Sequence, residues 1–115
     1  MKPVELLAEA RRLIEQPTES TRGLWARAAT ILARQALEEQ LALVLAERAP
    51  GSQSAPGDAQ LLVLCEVLGN RELAQRTRFV WSALSSASHA HGYELPPTSK
   101  ELSDWCDTVE EFLAA

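Results

Sequence analysis

The feature that most constrains this chain is the spacing of its apolar residues. Leu102, Trp105, Cys106, Val109, Phe112 and Leu113 recur at steps of three and four, which places them on one face of an α-helix. Asp104, Asp107, Glu110 and Glu111 fill the opposite face, and Thr98 with Glu101 has the spacing of an N-terminal capping box. No segment alternates apolar and polar residues over a strand's length, and none repeats. The reading is therefore all-α: one bundle domain over residues 1–115, with about five helices around a four-helix-bundle-like core.

The other four helices follow from local signals. Helix 1 is expected over Pro3 to Gln16, opened by a first-turn proline and ended by Pro17. Helix 2 is expected over Thr21 to Arg48, capped from Thr18, Ser20 or Thr21. Its predicted buried face is Trp25, Ala29, Leu32, Ala36 and Leu43; Arg27, Arg34 and Glu38 form the opposite stripe. Ala49 to Gly57 is a loop by composition. Helix 3, Asp58 to Leu68 with Asp58 as its cap, is apolar on nearly every side, which predicts a central helix or one covered by an oligomer interface. Gly69 is placed to end it in a left-handed turn, and Asn70 to cap helix 4, Arg71 to His89. Tyr93 to Pro97 is read as an extended exit.

Hydrophobic residues make up 46% of the 115-residue chain, enough for a core that needs neither disulfide nor metal. Cys65 and Cys106 lie in apolar helical stretches without metal-ligand spacing, and read as reduced residues. Apolar runs such as Leu61 to Cys65 are far short of the roughly 20 residues that span a bilayer. No membrane association, a cytoplasmic location and no cofactor are the expectations.

A net charge of −5 argues against a nonspecific nucleic-acid binder. The charge is uneven: between Arg11 and Arg34 five arginines face Glu15 and Glu19 alone, while from Glu94 onward six acids face Lys100 alone. Two readings follow: helices of opposite sign that dock on one another, or a basic patch for an anionic partner.

Neither a glycine-rich phosphate loop nor a hydrolase or metalloprotease motif is present. The segment richest in chemistry runs from Arg76 to Thr98. On a continuous helix Arg78, Ser82, Ser85 and His89 share one stripe, and His91 lies nearer the core side, close to Tyr93 and Glu94. These six residues, Arg78, Ser82, Ser85, His89, His91 and Tyr93, form the candidate binding set. Two histidines at i,i+2 do not share a helical face, so no metal site is expected. The structural alternative is a helix end whose last carbonyls are capped by histidine, followed by a proline turn.

Two segments carry a resemblance. RAATILARQALEEQL (Arg27–Leu41) resembles the long first core helix of the HEPN superfamily, and WSALSSASHAHGYELPPTSKELSDW (Trp81–Trp105) resembles the end of a small actinobacterial HEPN-like group. That resemblance implies a helical bundle, often homodimeric, in a superfamily that includes many RNases of toxin–antitoxin and defence systems. Active members place arginine and histidine on one late helix with a short spacer. Here ten residues separate Arg78 from His89 and twelve separate Arg76 from it. Along a helix the backbones of Arg78 and His89 are roughly 16 Å apart, too far for one site unless a second chain supplies one of them. The expectation is thus a noncatalytic binding module, homodimeric, with a protein or anionic partner. The alternative is a metal-independent RNase with a displaced Arg78/His89 pair; a structural subunit of a larger assembly is a third.

Overall fold

The computed structural model describes residues 1–16, 18, 24–89 and 95–115. Among them are five α-helices and no strand: α1 (Pro3–Glu15), α2 (Trp25–Arg48), α3 (Gly57–Val67), α4 (Arg71–Ser88) and α5 (Ser99–Ala114), with one 3₁₀ turn, Ser52–Ser54, between α2 and α3. The all-α bundle expected from the apolar spacing is the architecture observed.

At 24 residues α2 is about 36 Å long and sets the long dimension of the molecule, 43 Å. It touches all four other helices. The core is built from α1, α2, α4 and α5, while α3 packs outside this group against α4 and α2. Leu37, Leu41, Leu45, Leu84, Leu102, Val109 and Phe112 meet at its centre, each at most 1% exposed.

Local signals explain most helix ends. In α5 the Thr98 hydroxyl accepts the Glu101 N–H at 3.1 Å, and the Glu101 carboxylate accepts the Thr98 N–H at 3.0 Å, completing the capping box. Gly69 adopts φ 82°, the left-handed region, and the Asn70 side chain accepts the Leu73 N–H at 3.1 Å to cap α4. One cap is long-range: the Arg48 guanidinium donates to the carbonyls of Val67 and Leu68 at 3.2 and 3.0 Å, tying the end of α2 to the end of α3. Asp58 is not the cap of α3. The helix starts one residue earlier on Pro56 and Gly57, leaving Asp58 in the first turn. Nor is α2 capped by a side chain; its N-cap is Leu24, and Ser20 and Thr21 lie outside the described residues.

Two buried faces differ from expectation. The buried set of α2 includes Ala26, Ala33, Leu37 and Val44, each one position on from Trp25, Leu32, Ala36 and Leu43. The core face is therefore turned about 100° round the helix. Ala29 and Ala36 stay within the wide buried arc, Trp25 and Leu32 are half-buried at its margin, and Leu43 is 59% exposed. The cause is that α2 has neighbours on several sides, so the largest residues within its wide apolar arc do not mark the centre of its contact. The second correction concerns α3, which is peripheral rather than central. Only Leu61 and Leu64 of this helix are buried; Val63, Cys65 and Val67 are half-buried, and Leu62 is 50% exposed. Its short length lets it cover one flank of α4 while leaving its own far side open.

The uneven charge docks helices within one chain. Arg11 of α1 pairs with Asp107 and Glu110 of α5 at 2.8 and 3.6 Å, and Arg76 of α4 with Glu111 at 2.7 Å. The Glu111 hydrogen bond raises the pKa of Arg76 above its ordinary value. No helix of the described residues is long and apolar enough to cross a membrane.

Candidate functional site

On α2 the helical repeat brings Arg27, Ile31, Arg34, Gln35 and Glu38 to one outward stripe. The last turn of α4 runs beside it and contributes Ser88 and His89. Together these seven residues line an open groove of about 430 Å³. Arg27 forms no ion pair among the described residues, and Arg34 is mostly covered, with 27% of its side chain exposed.

The far end of the groove is fixed by a three-helix linkage. The Trp81 indole N–H of α4 donates to Glu38 Oε2 at 3.0 Å, and Arg34 Nε donates to the same oxygen at 3.3 Å. Glu38 Oε1 accepts no hydrogen bond among the described residues, and the carboxylate side chain is 42% exposed. Beneath the indole lies Gly57 of α3. A Cβ built there would come within 2.7 Å of Trp81 Cζ2, so the ring can sit where it does only against a residue with no side chain.

The predicted site residues do not gather. His89 is the C-cap of α4; its backbone N–H reaches the carbonyl of Ser86 at 3.2 Å, so the main chain performs the capping expected of its side chain. Arg78 is exposed on a different surface, a depression between α3 and α4 that it shares with Leu62, Val63, Cys65, Glu66, Arg71 and Gln75. The stripe from Arg78 to His89 is real as helical geometry. It is long enough, however, that α3 flanks its first half and α2 its second, and the two ends open into separate grooves. Ser82 is exposed and lines neither. Ser85 is partly covered, and its hydroxyl is buried without a partner among the described residues. His91 and Tyr93 lie outside the described residues.

The sequence does not show that His89 lines a groove with Arg27 and Arg34 rather than with Arg78. The signal was present in half: Arg27, Arg34 and Glu38 stand out as a polar stripe on helix 2. Nothing in their spacing says which helix end lies across from them.

The groove holds two guanidiniums, an imidazole and one carboxylate, a donor-rich set suited to binding an anionic group. Cys65 and Cys106 are free thiols, and burial pushes the Cys106 thiol up to about 11, which keeps it protonated and inert at neutral pH. No group of three His, Cys, Asp or Glu side chains among the described residues could hold a metal ion. Comparison of the chain with protein-family models, with curated proteins and with solved structures finds no match.

Proposed function

We propose that this protein is a noncatalytic, HEPN-like binding module that self-associates and receives an anionic group of a partner in the α2–α4 groove. One observation carries the reading: Arg27, Arg34 and His89 converge on a single open groove. Guanidiniums bind carboxylates and phosphates through paired hydrogen bonds, and an anion there meets Arg27, which has no ion pair among the described residues. The net charge of −5 favours a protein partner over a nucleic acid, whose phosphates the acidic α5 would repel. Self-association would cover the open side of α3, where Leu62 is exposed. Sedimentation at micromolar concentration is expected to show a dimer; a 12.6 kDa species alone removes that part of the reading.

A second reading, a metal-independent RNase, draws on the same convergence, since it places the histidine beside two arginines without needing Arg78. Incubation with labelled single-stranded and transfer RNAs, in chelator, separates the two. A binding module leaves the RNA intact. Cleavage that disappears in a folded His89→Ala variant would make the groove a nuclease site. For the binding reading itself, acetate and phosphate titrations are expected to shift the Arg27 and Arg34 Nε–H signals in a ¹⁵N spectrum, and Arg27→Gln to weaken that response about tenfold.

A further inference from the structure

We propose that the α2–α4 groove is two-ended and takes an extended peptide segment that carries an acidic side chain at the Arg27/His89 end and a cationic one at the Glu38 end. This rests on the reading that the groove binds an anion, and it adds what must accompany the anion.

Glu38 is the one carboxylate among the described residues that line the groove. A carboxylate placed in an anion site opposes the ligand, unless it recognises a different part of it. Trp81 and Arg34 both use Oε2, which holds the carboxylate in place and leaves Oε1 without a donor among the described residues. Gly57 fixes Trp81 from behind, so the linkage is braced by the α3 N-terminus. A fixed, half-exposed carboxylate with an open oxygen is a receptor for a guanidinium or ammonium group.

Eleven residues of helix, about 16 Å, separate Arg27 from Glu38. An extended peptide covers that distance in about five residues. Midway stands Ile31, 45% exposed, which offers an apolar contact for an aliphatic side chain. None of the described residues that line the groove is aromatic. Successive phosphates of a nucleic acid would meet the Glu38 carboxylate. A peptide with opposite charges at its two ends complements both the Arg27/His89 end and Glu38.

The test is a ¹⁵N titration of the full chain with blocked hexapeptides: one acidic and one arginine residue at the ends, a leucine-containing neutral spacer, in both orders. Companions replace the arginine or the acid by glutamine. The better-ordered two-ended peptide is expected to bind at least about tenfold more tightly than its arginine-lacking companion. It should also shift the Trp81 indole N–H together with Arg27 Nε–H. Glu38→Gln, which preserves shape and an acceptor for Trp81, should erase that difference while leaving the acid-only peptide no weaker. Equal binding of the two-ended and acid-only peptides to the natural chain overturns this inference and leaves the anion reading standing. If no acidic peptide shifts Arg27 or Arg34, both fall. Tighter binding of a six-nucleotide uridine RNA than of any peptide overturns the peptide assignment.

Discussion

Among single residues, Cys106 and Gly57 have measurable consequences. An unfolded thiol ionises near 9, whereas the folded Cys106 holds its proton to about 11 because burial disfavours the thiolate. Between those values the unfolded chain loses the proton first. This contribution to stability is therefore full below pH 9 and falls as pH rises towards 11, by about 3 kcal/mol at the limit. Urea denaturation at pH 8 and pH 10.5 should show a larger loss for the natural chain than for Cys106→Ala, which lacks the group; equal losses would mean that the thiolate is accommodated in the fold. Gly57→Ala acts through space rather than charge. The new methyl group would press on Trp81, at an expected cost of roughly 1–3 kcal/mol. The cost should shrink in a Trp81→Phe background, so a double-mutant cycle by urea denaturation reads the contact directly. The glycine is visible in the sequence only as part of a loop, because its partner stands on another helix.

At the scale of elements, legibility depended on how many neighbours each helix has. α5 presents one face to the core, and its cap, outer acids and most of its stripe are as the spacing predicts; Trp105 and Leu113 sit at the margin, half-buried, and Thr108 joins the buried face. α2 meets four helices, and its apolar pattern could not say which arc lies deepest. For a related reason the central one of the two positions expected for α3 is not the one observed: apolar composition reports an affinity for burial, whereas position depends on what length of helix the neighbours can cover. The candidate site was legible on each helix separately, as the polar stripe of α2 and the histidine end of α4, but pairing the two is tertiary information. The capping box allows a prediction at this scale. Thr98→Ala leaves the Glu101 N–H without its acceptor and should cost about 1 kcal/mol. A thermal scan should show a drop of about 4 °C. Thr98→Ser should restore most of it, which a loss of methyl packing alone would not allow.

For the whole molecule, the distribution of burial sets which part opens first. α2 places nine side chains in the buried set and α5 places five, but α3 places only Leu61 and Leu64, followed by Leu68 just past its end. The α1–α2–α4–α5 group is also joined across helices by Arg11 to Asp107 and Arg76 to Glu111, whereas α3 is tied back chiefly by Arg48 on its final carbonyls. A helix with so little buried surface and one long-range polar anchor should open without the rest of the bundle. That matters for the groove, because α3 supplies the Gly57 backbone against which Trp81, and through it Glu38, is set. Native-state hydrogen exchange should therefore give α3 amides a lower opening free energy than those of α2 and α5. Arg48→Met keeps the apolar stem and removes the donors. It should lower α3 protection further, leave α5 protection unchanged and broaden the Trp81 indole signal. If Arg48→Met lowers protection equally in α3 and α5, the bundle opens as one unit, and α3 is no independent support of the Glu38 end.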